Sequence, residues 1–224
     1  MSASTRVAIM QPYFCPYIGY FQLVAAVDTF VFYDDVNFIR GGWINRNRIV
    51  SGGREFLFTI PIVDASSYRR ICDTQVNHRV KDIAKLLANI KMSYARAPFY
   101  KEVFPVVEDV FTRNSNTIGE MAIDSVVAFA QYLGISTQFK VSSRENYPKS
   151  DDRVQNLVTI MQAEQSTHYI NPIGGQELYT KEDFSAHGIT LNFIKGKGSL
   201  SVIDVCMNNS ISDIQSILKD YTLI

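Results

Sequence analysis

Residues 6–35, RVAIMQPYFCPYIGYFQLVAAVDTFVFYDD, decide the fold class of this chain. The apolar run at 6–10 predicts a short buried strand, and the two prolines that follow it predict a defined loop without regular pairing. From Gly19 the apolar residues follow helical spacing, and residues 29–33 predict a second strand. A strand, a helix and a second strand in close succession form a βαβ unit, which implies parallel strands joined by a right-handed crossover.

The rest of the chain continues the alternation of strands and helices. Residues 46–50 and 55–61 predict a β-hairpin, whose loop at 51–54 is longer than the tightest turns. Apolar spacing by three and four predicts a helical insertion at about 77–133, with helices at 77–95, from Phe99, and at 118–133. Further strands are predicted at 137–141, 168–171 and 189–193, and further helices at 152–162, 180–186 and 201–224. The sequence therefore predicts one α/β domain over residues 1–224, with a Rossmann-like, mostly parallel sheet flanked by helices, a hairpin and the helical insertion.

The composition argues against several classes of protein. The 22 basic and 22 acidic side chains balance, whereas a dedicated DNA-binding protein shows a basic excess. No apolar run approaches the roughly 20 residues of a membrane-spanning helix, and residues 1–10 are too short and polar for a secretory signal. Cys15, Cys72 and Cys206 lie far apart and lack the spacing of a disulfide framework or a zinc site. We therefore expect a cytoplasmic protein with free thiols, no membrane insertion, no DNA partner and no metal site.

The first loop follows the first predicted strand, at the sheet edge where parallel α/β proteins bind ligands. This loop carries Gln11, Tyr13, Tyr17, Gly19 and Tyr20. The helix that begins here offers free N–H groups and partial positive charge to a phosphate or carboxylate. In the alternative interpretation, the tyrosines pack against the sheet edge and Gly19 only starts the helix.

Asp34 and Asp35 follow the second predicted strand. A carboxylate pair in this position can hold a divalent cation, act as a general base, or bind sugar hydroxyls or an amine. The alternative is capping and turn formation, which are common roles of aspartate.

Residues 40–48, RGGWINRNR, form the densest polar cluster. Arginine forks bind phosphate oxygens at two points, and the tryptophan can stack on a base or sugar ring. The alternative is a solvated hairpin face with the tryptophan in the core. The predicted ligand contacts are Arg40, Trp43, Asn45, Arg46 and Asn47.

Residues 169–179, YINPIGGQELY, form a second polar loop. If its strand runs in the same direction as the first strand, this loop meets the first loop at the sheet edge. The alternative is a plain connection from strand to helix. The predicted contacts here are Tyr169, Asn171, Gly174, Gly175 and Tyr179.

Two family resemblances follow from these motifs. Residues 16–20, PYIGY, resemble the histidine-containing first loop of class I nucleotidyltransferases, with tyrosine where each histidine would be. Because tyrosine donates a hydrogen bond but brings no positive charge, this resemblance implies a fold and a ligand position rather than adenylyl transfer. The wider pattern resembles the WbqC-like family of bacterial proteins, in order over almost the whole chain. The matching segments are IMQPYF (9–14), PYIGYFQ (16–22), FYDDV (32–36), WINRN (43–47), YA (94–95), APF (97–99), YINP (169–172), GG (174–175), LY (178–179) and LSVID (200–204).

The WbqC-like resemblance implies a transferase of O-antigen and related surface-polysaccharide (lipopolysaccharide) biosynthesis. It would add an amino acid such as glycine, or another acyl group, to the amine of a nucleotide-linked sugar. In this hypothesis Arg40, Arg46 and the first helix hold the diphosphate, and Asp34 or Asp35 accepts the proton of the amine. The further predicted catalytic residues are Tyr17 and Tyr20.

The acyl donor stays open at this stage. An acyl adenylate made from ATP, a charged tRNA and a thioester are all compatible with the sequence, which makes no prediction of a cofactor or of an oligomeric state. Two alternative functions are a metal-assisted glycosyltransferase that uses Asp34 and Asp35, and a non-catalytic partner protein that binds a sugar nucleotide.

Overall fold

A computed structural model describes residues 5–78 and 80–224 of the chain. Residues 1–4 of the predicted domain and residue 79 of the predicted helix 77–95 lie outside this described part. The strands are β1 (Arg6–Met10), β2 (Thr29–Phe32), β3 (Arg46–Ser51), β4 (Arg54–Thr59), β5 (Gln138–Val141), β6 (His168–Pro172), β7 (Thr190–Lys195) and β8 (Thr222–Leu223). The α-helices are α1 (Ile18–Ala25), α2 (Val80–Tyr94), α3 (Tyr100–Thr112), α4 (Ile118–Tyr132), α5 (Ser142–Glu145), α6 (Arg153–Ala163), α7 (Lys181–Ser185), α8 (Val202–Asn208) and α9 (Ile211–Lys219).

Six strands form one sheet in the order β5-β2-β1-β6-β7-β8. The first five are mutually parallel, and β8 runs antiparallel to β7. The β3–β4 hairpin forms a separate antiparallel sheet. The predicted fold class is therefore confirmed: a mostly parallel sheet flanked by helices, with a separate hairpin.

Alternating side chains of the strands divide the core into two clusters, because successive residues of a strand face opposite sides of a sheet. Ala8, Phe30 and Ile170 belong to what we call the front cluster, with buried residues of α1, α3, α4, α8, α9 and the hairpin. Val31 and Phe193 belong to the back cluster, with buried residues of α6 and α7. The helical insertion, α2 to α4, thus packs on the front. Its last helix begins with a capping box between Thr117 and Glu120, a start signal that is readable from the sequence.

The C-terminal tail differs from the prediction of one helix over 201–224. The tail forms α8, then α9, and ends as β8. The helix breaks because Ser210 adopts an extended backbone and caps α9, with its hydroxyl accepting from the backbone N–H of Asp213. The last strand then pairs with the edge of β7, a tertiary contact that apolar spacing does not reveal.

The hairpin turn is also tighter than predicted. Ser51 pairs with Arg54, so that only Gly52 and Gly53 form the loop, with φ angles of 59° and 76°. Two positive φ angles in a two-residue loop are the mark of a type I′ turn, which matches the twist of the strands it joins.

None of the described helices combines the length and the apolar character that crossing a bilayer requires.

Candidate functional site

A cavity of about 960 Å³ lies at the carboxyl ends of β1, β2, β6 and β7. In the sheet, β2 lies beside β1 on one side and β6 lies beside β1 on the other side, followed by β7. The neighbours β1 and β6 thus form the topological switch point, where open α/β sheets bind their ligands. Gln11, which directly follows β1, and Asn171, the next-to-last residue of β6, both line the cavity.

Besides Tyr169, which is 1% exposed, four tyrosines bring phenol groups to the cavity wall: Tyr13, Tyr17, Tyr33 and Tyr179. Burial, followed by the nearby Tyr17 phenol, raises the pKa of Tyr13 to about 12. Burial and the charge of Asp35 raise the pKa of Tyr33 to about 12. Burial also raises the pKa of Tyr17 and of Tyr179. At neutral pH these four phenols therefore keep their protons and can donate hydrogen bonds to a ligand.

The hairpin brings one arginine to the front end of the cavity. The Arg48 guanidinium lies 5.0 Å from the centroid of the Trp43 ring, and both residues line the cavity. One of its nitrogens is 3.4 Å from Oε2 of Glu55, across the hairpin. The indole therefore supports the arginine by a cation–π contact, which orients the guanidinium without neutralising its charge.

Glycine backbones form the wall beside this arginine. Gly19, Gly196, Gly198 and Ser199 line the cavity. A Cβ on Gly196 would lie 3.0 Å from the Cα of Gly19 and 2.4 Å from Oε1 of Gln22. Only glycine at 196 therefore lets the loop after β7 approach the first turn of α1 so closely.

The back end of the cavity is built by the start of α6. Asp152 caps this helix by accepting from the backbone N–H of Gln155 at 2.9 Å. Asp151, Arg153 and Asn156 line the cavity beside Tyr179. The back end thus has its own arginine and its own carboxylate.

Comparison with known proteins identifies the family of this chain. The model of the WbqC-like protein family matches residues 11–216. The chain belongs to the WbqC-like protein family. It is also 29% identical, over 170 residues, to the uncharacterized protein Rv1507c of Mycobacterium tuberculosis; the match spans 74% of this chain and 71% of the relative. No solved structure is significantly similar to the chain.

In this WbqC-like protein, most of the predicted ligand contacts meet at one cavity. The predicted residues that line it are Gln11, Tyr13, Tyr17, Gly19, Trp43, Asn47, Tyr169, Asn171, Gly174, Gly175 and Tyr179. Asn47 is almost fully buried. Its amide donates to the Cys15 carbonyl at 2.8 Å and its carbonyl oxygen accepts from the Arg48 N–H. Asn47 therefore fastens the hairpin to the first loop.

The remaining predicted contacts are not part of the cavity wall, although the Arg46 guanidinium lies 5.5 Å from the ring centroid of Trp43, a wall residue. Arg46 donates to the carbonyl groups of Gly41 and Gly42, and Arg40 is exposed. The Asn45 amide donates to the Ile60 carbonyl at 2.9 Å. Tyr20 is 1% exposed, and its hydroxyl donates to the Gln11 carbonyl at 2.9 Å. Asn45 and Arg46 thus hold the hairpin and the loop before it, and Tyr20 holds the first loop.

The two predicted acids are also placed behind the wall. Asp34 is 3% exposed; its Oδ1 accepts from the Ser143 N–H at 2.9 Å and its Oδ2 from the Ser143 hydroxyl at 2.7 Å. Asp35 pairs with Lys149 at 2.8 Å, and its Oδ1 accepts from the Ser142 hydroxyl at 2.6 Å. Both carboxylates thus hold the segment after β5 against the end of β2.

Several lining residues were absent from the predicted set. Arg48 stands in the predicted polar cluster, and strand alternation places it on the same face as Arg46. Tyr33 directly follows β2, so its position at the sheet edge was a usable signal. The sequence at the start of α6 does not indicate a binding site, because Asp151 and Arg153 are residue types that are common at the start of a helix. The other missed polar residues of the wall are Asn37, Asn156 and Ser199.

Proposed function

We propose that this protein binds a nucleotide-linked amino sugar in the cavity and transfers an acyl or aminoacyl group, such as glycyl, to the amine. The observation that carries the proposal is the cavity itself: arginine, glycine backbone and protonated phenols converge at the switch point of a parallel sheet. The role in O-antigen or related surface-polysaccharide biosynthesis, which the family resemblance implies, belongs to the same proposal.

The diphosphate of the sugar nucleotide is assigned to the front end. Arg48 replaces Arg40 and Arg46 in this role, because it is the arginine of the hairpin that lines the cavity. Its planar guanidinium, held over Trp43, can contact two phosphate oxygens at once. The wall formed by Gly19 and Gly196 allows the phosphates to approach the backbone closely.

The reaction requires a neutral amine. Its nitrogen lone pair attacks the acyl carbonyl carbon, the C–N bond forms, and the bond from that carbon to the leaving group breaks with its electron pair. The nitrogen then loses a proton. Asp151 is the one carboxylate that residues 5–78 and 80–224 contribute to the lining, so we assign proton acceptance to Asp151 in place of Asp34 or Asp35.

The phenols have a separate part in this scheme. A tetrahedral intermediate carries negative charge on the former carbonyl oxygen, and preorganised donors stabilise such charge. Tyr17 and Tyr33, with their raised pKa values, remain donors throughout the neutral range. Tyr20 supports the loop from the core instead of contacting the ligand.

The two alternative functions predict different outcomes. A metal-assisted glycosyltransferase needs carboxylates beside the diphosphate. The Asp34 oxygens instead accept two hydrogen bonds from Ser143, and Asp35 accepts from the Ser142 hydroxyl and pairs with Lys149. A non-catalytic binding protein would use the same cavity but form no product. Product analysis by mass spectrometry separates this case from the transferase.

Binding is tested with a panel of nucleotide-linked amino sugars that differ in base, using thermal shift and then calorimetry. We expect at least one member to stabilise the protein. Arg48→Met should weaken that binding roughly 10- to 100-fold, because it removes charge-assisted hydrogen bonds to phosphate. Arg54→Met is the matched control, since Arg54 is exposed on the same hairpin and is not part of the cavity wall. Equal binding by both variants would remove the assigned diphosphate site, and no stabilisation by any member would overturn the proposal.

A further inference from the structure

The cavity extends past the sheet edge to both sides of the sheet. Tyr13 and Tyr17 pack on the front cluster, whereas Tyr33, Ile173 and Tyr179 pack on the back cluster. All five residues line the same cavity. The front and back ends are therefore joined over the carboxyl edge of the sheet, where Gln11 and Asn171 lie.

Each end of this cavity contains one arginine. The front arginine, Arg48, comes from β3, and the back arginine, Arg153, is the first residue of α6. A nucleotide-linked amino sugar carries its strong negative charge in one diphosphate group. Arg48 accounts for that group, so Arg153, which is exposed and lines the back end, is available to bind a second anion.

The cation at the back end is not committed to a partner within the protein. Among residues 5–78 and 80–224, no carboxylate forms an ion pair with Arg153. The neighbouring Lys149, in contrast, is held by Asp35 at 2.8 Å, with its ammonium 4.5 Å from the centroid of the Tyr33 ring. The electrostatic influence of Arg153 reaches the Tyr179 phenol, whose pKa it lowers against the larger effect of burial. The back end thus presents one available guanidinium beside two phenol donors.

We propose that the back end, formed by Arg153, Tyr179 and Tyr33, binds the acyl donor as a mixed anhydride of a carboxylic acid and phosphate, while the front end holds the nucleotide-linked amino sugar. This inference rests on the proposed function. An acyl phosphate and an acyl adenylate share the anhydride and its phosphate. In either case the phosphate lies on Arg153 and the acyl carbon faces the sheet edge.

The placement suits the chemistry of transfer. The amine nitrogen forms the C–N bond, and the bond between the acyl carbon and the bridging oxygen breaks. The electron pair leaves with the phosphate, which Arg153 stabilises as its negative charge grows. The proton of the amine passes to Asp151, which neighbours Arg153 in the same end of the cavity. With the two substrates on opposite sides of the sheet edge, the reacting atoms meet without exchange of ligands.

Simultaneous binding of two probes tests the inference. The front probe is the amino-sugar nucleotide that gives the largest thermal shift in the panel above. The back probe is acetyl phosphate, whose binding is measured by saturation-transfer NMR. We expect acetyl phosphate to bind in the presence of a saturating front probe. Arg153→Met should weaken acetyl phosphate at least 10-fold and change the affinity for the front probe less than twofold, and Arg48→Met should do the reverse. Arg144→Met, an exposed arginine of α5 outside the cavity wall, is the control.

The outcomes separate the two proposals. If the front probe binds, three results for acetyl phosphate would overturn the two-ended cavity and leave the proposed function standing. These are competition with the front probe, an affinity that Arg153→Met does not change, and no binding. No front-probe binding overturns the proposed function and this inference with it. Product formation with acetyl phosphate or acetyl adenylate supports a mixed anhydride as the acyl donor, and the compound that gives product identifies which of the two is used. Product formation only with acetyl-coenzyme A overturns it.

Discussion

The Asp34 carboxylate is committed to the segment that follows β5. Its two oxygens accept from the Ser143 N–H and the Ser143 hydroxyl at 2.9 and 2.7 Å. Asp34→Asn places an amide donor against these donors, so we expect the free energy of unfolding to fall by roughly 1–3 kcal/mol.

Asp151→Asn should leave stability unchanged, because Asp151 is exposed, but lower turnover roughly 100-fold or more. Denaturant unfolding and steady-state kinetics on both variants check this. A stable Asp34→Asn variant without turnover would restore Asp34 as the base.

The buried phenols make stability depend on pH in the alkaline range. The pKa of Tyr33 rises from 10.0 to about 12 in the folded chain. The native state therefore binds this proton more tightly than the unfolded state. The stability that the protonated Tyr33 phenol contributes is fully present below about pH 10 and is lost between about pH 10 and about pH 12. Tyr33→Phe should make this fall shallower, as measured by urea unfolding at a series of pH values. Tyr68→Phe is the control, since Tyr68 is 93% exposed. Identical slopes for wild type and Tyr33→Phe would contradict the expectation.

Among elements, the contact between α1 and the loop after β7 depends on glycine. A Cβ on Gly196 would lie 3.0 Å from the Cα of Gly19, a backbone atom that cannot rotate away. Gly196→Ala should therefore cost about 1–3 kcal/mol of stability and displace the front wall of the cavity, so that affinity for the sugar nucleotide falls as well. Gly174→Ala is a matched control for stability, because its Cβ would meet no atom within 4 Å. Thermal unfolding and calorimetry measure both effects. A Gly196→Ala variant as stable as Gly174→Ala would show that the loop moves freely.

The same elements show which features a sequence can predict. Apolar runs and their spacing predicted the parallel sheet, the hairpin and the insertion, because burial of those side chains is what forms these elements. The break before α9 depends on one hydroxyl cap, and β8 depends on pairing with β7, so neither alters the apolar spacing. The polar positions at strand ends led to the cavity. The sequence does not predict that Arg48, and not Arg46, lines the cavity. This difference depends on the hydrogen bonds that Arg46 donates to carbonyl groups of the preceding loop.

At the scale of the whole molecule, one buried side chain joins three distant parts of the chain. The Gln22 amide of α1 donates to the carbonyl groups of Ile217 and Asp220 at 2.8 and 2.9 Å. Its oxygen accepts from the Lys197 N–H at 2.9 Å, in the loop that forms the front wall of the cavity. The C-terminal segment therefore supports a binding wall to which it contributes no residue.

This connection makes a distant variant visible at the site. Gln22→Met keeps the side chain similar in length but removes every polar contact, so we expect a loss of roughly 1–3 kcal/mol in the free energy of unfolding. The Lys197 amide, deprived of its acceptor, should exchange with deuterium faster than in wild type even where the protein stays folded. Gln131→Met, on the exposed side of α4, provides the control for the same substitution in another helix. Unchanged exchange at Lys197 in Gln22→Met would mean that packing of Gly196 on Gly19 alone holds the wall, and the role assigned to Gln22 would then be wrong.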